Sequence, residues 1–256
     1  MISIVMAYYN RLPQLRYTLK SIEFSKEKDI EIIIVDDFSD TDNSLDTINN
    51  EYPYLNIRVI KMSDIVDNKN YCNPCVPYNV GFRTSRGDKI VIQNPECSHQ
   101  GDVLEYVNSH LTDQNYLTFH CWACNKDEVR VLHQGHPIPV GQENGKSRWY
   151  NHKTINPGAL HFTSAITRKN LIELNGFDET FSMGFNYDDN EFLQRIKNKE
   201  LNIEFVENPF VIHQYHRKSY GHPNNPAPTT DNEKLFQNTV TSKKIKAENK
   251  ENICGI

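Results

Sequence analysis

The sequence predicts an α/β fold, a three-layer sandwich around a mixed, mainly parallel sheet, and three observations carry that expectation. Residues 2–6 form a short apolar run that precedes Leu12, Leu15, Leu19 and Ile22, spaced for one face of a helix. Residues 30–35 are nearly all β-branched, which suits a strand covered on both faces, and the run stops abruptly at Asp36-Asp37. Residues 57–60 and 89–92 repeat the strand signal, so the first hundred residues read β-α-β-α-β, the order of a parallel sheet with crossover helices.

Each element follows from its local pattern. Residues 12–24 are expected as the first helix and residues 40–50 as the second. In the second half, residues 116–122 and 129–132 read as strands, while residues 133–158, rich in Gly, Pro, His and Asn, read as an extended loop of the kind that carries function. Residues 168–174 predict a short helix stopped at Gly176, and residues 189–199 another. Residues 203–206 and 210–213 are strand-like. From Ser219 apolar periodicity is lost, and residues 243–251 are mostly polar, so the tail is either one surface helix or disordered. The expected organisation is one domain over residues 1–218 and a polar tail over 219–256.

Composition removes several functions. The chain has 256 residues and a net charge of -5, without the basic surface that drives nucleic-acid binding. No run approaches the ~20 apolar residues that cross a bilayer, and the opening MISIVMAYYN lacks the basic and small-residue flanks of a secretory signal. A soluble, cytoplasmic protein with no transmembrane segment is expected. Its six cysteines are then expected as thiols. Cys72 with Cys75 and Cys121 with Cys124 form two CxxC pairs, which raises a four-thiolate zinc site, but the gap between the pairs is far longer than in compact zinc ribbons and Pro74 sits inside the first.

In an open parallel sheet, ligands collect at the carboxyl ends of the strands. That directs attention to Ala7–Arg11, Asp36–Asp40 and Asn94–His99 as stretches. The acidic pair Asp36-Asp37 suits hydrogen bonds to a base or ribose; capping of a following helix by Asp37 or Ser39 explains it equally well.

The segments ISIVMAYYNR and IIIVDDFSD, followed by YNVGF (78–82), SRGDKIVIQ (85–93), LNGFDETF (174–181) and YDDNEFLQRI (187–196), resemble the GT-A glycosyltransferases. The likeness is to the large inverting family with many bacterial members, and the YNVGF and YDDNEF elements look like its galactosyltransferase-type branch. Together they cover most of residues 1–217.

The resemblance implies a transferase that moves a sugar from a nucleotide diphosphate donor, by resemblance a UDP-sugar, onto a hydroxyl of a glycan, lipid-linked or protein acceptor. Residues 1–100 would be the nucleotide-binding half and 101–218 the acceptor-binding half. Ala7, Tyr8, Asp36 and Asp37 would form the nucleotide pocket, with Asn79 bracing the wall beside the donor. The family's DxD motif is replaced by Asn94-Pro95-Glu96, so only Glu96 supplies an anionic metal ligand there. His213 resembles the histidine that related transferases add, with His216 the nearby alternative and His99 a third candidate. A carboxylate with an imidazole suits Mn²⁺ better than Mg²⁺.

Asp188, Asp189 and Glu191 sit where a helix begins, and carboxylates there also complement the helix dipole. By resemblance Asp189 is the base that takes the acceptor's proton and Asp188 orients the acceptor. A single displacement with inversion needs this base and no covalent nucleophile. Trp149, with Tyr150 and His152, is a candidate for stacking on a sugar face, with core packing as the competing explanation. Two rival readings stand beside this one. A nucleotidyltransferase would show a Gly-rich loop after the first strand, where this chain has AYYNR. A non-catalytic sugar-nucleotide-binding protein of the same fold is kept open by the altered NPE motif.

Overall fold

A computed structural model describes residues 1–143, 146–216 and 229–253. The chain opens with β1 (Ile2–Tyr8), α1 (Leu12–Glu23), β2 (Ile30–Asp36), the short α2 (Ile48–Glu51), β3 (Ile57–Lys61), α3 (Cys75–Thr84), β4 (Lys89–Gln93) and β5 (Cys97–Gln100). It continues through α4 (Val103–His110), β6 (Asn115–Ala123), α5 (Lys126–His133), β7 (Gln142–Glu143), β8 (Lys146–Ser147) and β9 (Trp149–Asn151). The last elements are β10 (Thr163–Thr167), α6 (Arg168–Leu174), α7 (Asp188–Asn198), β11 (Asn202–His213) and α8 (Thr229–Ser242).

The main sheet runs β3-β2-β1-β4-β10-β6-β11-β5, with β9 added to β6. Strands β3, β2, β1 and β4 are mutually parallel, as are β6 and β11, whereas β10 is antiparallel to both β4 and β6 and joins the two parallel blocks. This is the expected mixed, mainly parallel sheet. Alternation along the strands sends side chains to two layers. Ile4, Met6, Ile32 and Ile34 meet Leu15 and Leu19 of α1, while Val5, Ile33 and Val35 meet Tyr78 and Phe82 of α3. Each such fully buried aliphatic side chain contributes about 1.5–3 kcal/mol, so the sheet is stable enough to hold loops at its strand ends in fixed positions.

Several local expectations are corrected. Residues 40–50 do not make one helix; a single 3₁₀ turn over Thr41–Asn43, capped by Asp40, is followed by the four-residue α2. Residues 129–132 lie in helix α5 and not in a strand, because the Asn125 side chain accepts hydrogen bonds from the Asp127 and Glu128 amides while the Glu128 carboxylate accepts one from the Asn125 amide. The two strand signals at 203–206 and 210–213 are one strand, β11, whose pairing with β6 shifts register between Val206 and Val211. Part of the expected loop 133–158 is strand, in β7, β8 and β9.

The first residues of the expected tail, 219–228, and Cys254 lie outside the described residues. Beyond them, α8 packs on α7, and Ile253 is buried in the core beneath α6, its amide bonded to Asn175. Among the described residues no helix is long and apolar enough to cross a membrane.

Candidate active site

The ends of β1 and β2 carry the expected nucleotide residues. Ala7 pairs with Val35 and Tyr8 with Asp36, and the Asp37 amide donates to the Tyr8 carbonyl at 2.8 Å. Neither Asp37 nor Ser39 caps a helix. Asp36 accepts the Ser39 amide at 3.1 Å, which tightens the turn after β2. Asp37 accepts from Lys69 Nζ and from the Tyr71 hydroxyl, both at 2.6 Å. Tyr8 is fully buried with its hydroxyl on the Asn43 carbonyl, and burial pushes its phenol above the usual range. Asn79 is also fully buried and bonds both the amide and the carbonyl of Phe177, so it ties α3 to the segment after α6.

A second set of side chains opens on a cleft of about 660 Å³. Asn94 to Cys97 is a tight turn, closed by the Cys97 amide on the Asn94 carbonyl. Strand β5 then pairs with β11 so that Cys97 faces His213, which brings Glu96 beside the end of β11. Glu96 Oε1 lies 3.3 Å from Nε2 of His213 and 3.3 Å from Nε2 of His216. Gln214, between the two histidines, is fully buried and donates to the Glu96 carbonyl and to Thr18, so the segment is pinned to α1. Burial works against the Glu96 carboxylate, but hydrogen bonds from both imidazoles outweigh it and hold its pKa well below the ordinary range.

These three ligand atoms lie within 4.8 Å of one another, a spacing that one ion can bridge, and no other such group exists among the described residues. The structure thus joins His213 and His216 to Glu96 together. His99 faces elsewhere: it is buried against Gln93 at 3.0 Å, and burial lowers its pKa to about 4. The CxxC pairs assemble no four-thiolate cluster.

Across the same cleft stands the start of α7. Asp188 is buried, and Asp189 keeps 34% of its side chain open. Burial raises the pKa of both carboxyls, and the charge of Asp189 raises Asp188 further, so the pair keeps a proton to higher pH than exposed aspartates do. His161 Nδ1 is 4.0 Å from Asp189 Oδ1. Burial lowers the His161 pKa to about 4, so at neutral pH it meets Asp189 as an uncharged polar ring. Glu191, the third acidic residue, turns inward to Arg195 at 2.7 Å.

Trp149, expected beside the acceptor, packs edge-on against Trp122 at 5.1 Å and near Phe210, and the ring that β9 presents to the cleft is Tyr150, 5.1 Å from His213. His161, Phe185 and Asn73 line the cleft without having been singled out from sequence. No motif marks them; they come together only because β10 inserts antiparallel beside β4 and the 177–187 segment folds back over α3.

Strand-end carboxylates, an acidic helix start and a carboxylate–imidazole cluster on a mostly parallel sheet define a transferase of the GT-A type. Residues 3–174 match glycosyl transferase family 2, and residues 157–217 match the N-terminal domain of galactosyltransferase. The chain belongs to glycosyl transferase family 2 and is a glycosyltransferase, transferring sugar from a nucleotide sugar. No curated protein matches it.

Among solved structures it is similar to S. aureus TarS 1–349 in complex with UDP-GlcNAc, at 16% identity and a TM-score of 0.68, covering 98% of this chain and 68% of that one. It also resembles the mannosyltransferase PcManGT from Pyrobaculum calidifontis in complex with GDP-Man and Mn²⁺, at 12% identity and a TM-score of 0.57, covering 94% of this chain and 71% of that one. At these identities the likeness is one of fold.

Proposed function

We propose that the enzyme transfers a sugar with inversion from a UDP-sugar to a hydroxyl of a glycan, lipid-linked or protein acceptor, with Asp189 as the base. The observation that carries this reading is that the Asp188–Asp189 pair and the Glu96–His213–His216 cluster open on one cleft. One end then suits a departing diphosphate and the other an attacking hydroxyl. Residues 1–100 hold the nucleotide through Ala7, Tyr8, Asp36 and Asp37, and the acceptor lies over residues 101–218. The partly open Asp189 takes the acceptor's proton; the buried Asp188 beside it orients the hydroxyl, and burial keeps Asp189 more basic than an exposed aspartate.

A carboxylate oxygen and two imidazole nitrogens fit a divalent cation, Mn²⁺ in preference to Mg²⁺, since Mg²⁺ favours oxygen ligands. Bound there, the ion supplies positive charge against the leaving nucleoside diphosphate. Five described cysteines are free thiols, in keeping with a cytoplasmic setting.

The test is sugar transfer from a panel of UDP- and GDP-sugars with and without Mn²⁺. Asp189→Asn keeps the shape of the helix start but cannot take a proton, so kcat should fall by about 100-fold or more with donor affinity nearly unchanged. Transfer by Asp189→Asn at the parental rate would remove the base assignment.

A further inference from the structure

The acidic helix α7 is entered through an unfavourable piece of backbone. Asn186 and Tyr187 are consecutive and both left-handed, with φ of 64° and 68°. Asparagine tolerates that region, but a bulky tyrosine there is an outlier that persists only when its surroundings enforce it. Tyr187 is also the residue immediately before Asp188, so its backbone sets where the carboxylate pair points.

What enforces the turn comes from far along the chain. Asn232 of α8 is 2% exposed, and its side-chain amide donates to the Asn186 carbonyl at 2.8 Å and to the Phe181 carbonyl at 3.1 Å. On the opposite side, Asn73 donates to the carbonyls of Phe181 and Gly184. Phe236, one turn after Asn232, lies 5.5 Å from the Tyr187 ring. Gly184 leaves the room Asn232 needs: a Cβ at that position would come within 2.5–2.8 Å of its side chain. Asn232 does not itself line the cleft, and it lies outside both family matches, which end at residues 174 and 217.

We propose that Asn232 is a positioning residue for catalysis: by clamping the 181–186 segment it holds the left-handed Asn186–Tyr187 turn and thereby fixes Asp188 and Asp189 in the cleft. The inference rests on the assignment of Asp189 as base. Asn232→Asp is the discriminating variant, because it keeps the side chain's size while replacing the NH₂ donor with an oxygen that repels both carbonyls. Gly184→Ala is the second, displacing Asn232 from the other side.

Two measurements are read together on the full chain. Hydrogen exchange of the 186–191 amides should quicken by about 10-fold or more in each variant while that of β1 and β4 stays parental. Transfer kcat should fall by about 10-fold or more with donor KM within about twofold, the pattern of a misplaced base. Parental exchange together with parental kcat in either folded variant overturns the proposal, and so does quickened exchange with kcat unchanged. A parent enzyme that transfers no sugar would sink the functional reading instead, and the exchange result would still decide whether Asn232 holds the turn.

Discussion

Arg195 offers a stability prediction whose size follows from its contacts. Its guanidinium is fully buried. Nε donates to Glu191 at 2.7 Å, Nη1 to the Leu174 carbonyl at 2.7 Å and Nη2 to the Gly176 carbonyl at 2.8 Å, and the group lies over the Phe192 ring. The Leu174 carbonyl is the last of α6 and the Gly176 carbonyl lies in the turn that follows it, where no further helical amide is available. Arg195→Met fills much of the same space but removes every donor. It leaves Glu191 with a buried carboxylate, one oxygen of which already lacks a partner. Removing one member of a buried pair costs about 3–5 kcal/mol. At about 2–4 °C per kcal/mol for a chain of this size, the melting temperature should drop by roughly 6–20 °C.

The loss should also depend on pH. Burial already raises the Glu191 pKa above 4.5, with Arg195 opposing it, and without Arg195 it rises further. The folded variant then holds a proton that the unfolded chain releases, so its stability falls as pH climbs from the unfolded value through the raised folded one. The deficit against the parent should be larger near pH 8 than near pH 5, and Glu191→Gln added to Arg195→Met should recover part of it. Urea unfolding at both pH values measures this. A melting point within about 2 °C of the parent, or an equal deficit at both pH values, would refute the reasoning.

Glu96→Gln should abolish Mn²⁺ stimulation of transfer, and His213→Ala and His216→Ala should each weaken it, because both imidazoles sit 3.3 Å from the same oxygen; Mn²⁺ titrations of activity check this, and stimulation intact in all three variants would remove the cluster as a metal site. Gly81→Ala should destabilise by about 1–3 kcal/mol in urea unfolding, because its Cβ would lie 2.4 Å from Val5 Cγ1 and 3.2 Å from Val35 Cγ2, forcing α3 off the sheet.

What could be read in the sequence was whatever physics writes locally. β1, β2 and β4 were legible because burial on both faces demands runs such as IIIV, and α1 because its apolar residues share one side. Helix α3 was not, since Cys75, Tyr78, Asn79, Val80, Gly81 and Phe82 are all buried and a helix covered all round leaves no stripe. Val129 and Val131 alternate with polar residues like a strand, yet the Asn125–Glu128 cap decides for helix. In the site, Glu96 and His213 were found at strand ends. That His216 joins them as a partner, not as a substitute, depends on the buried Gln214 bending the chain after β11. His161 beside Asp189 and the Asn232 clamp rest on contacts between residues far apart in sequence, which no local pattern records.

The burial of the chain's later residues bears on the order of synthesis. A ribosome adds residues from the amino end at about 5–20 per second and domains tend to form as they emerge. Strands β1, β2, β3 and β4 are complete by Gln93, whereas Asn232, Asn249 and Ile253, which hold the segments on either side of the 181–186 stretch, emerge well after them. The nascent chain therefore gains its parallel strands first, and the clamp on the turn before the acidic pair only after Asn232 has emerged. During that interval the parallel block of the sheet can take shape while the start of α7 still lacks its clamp.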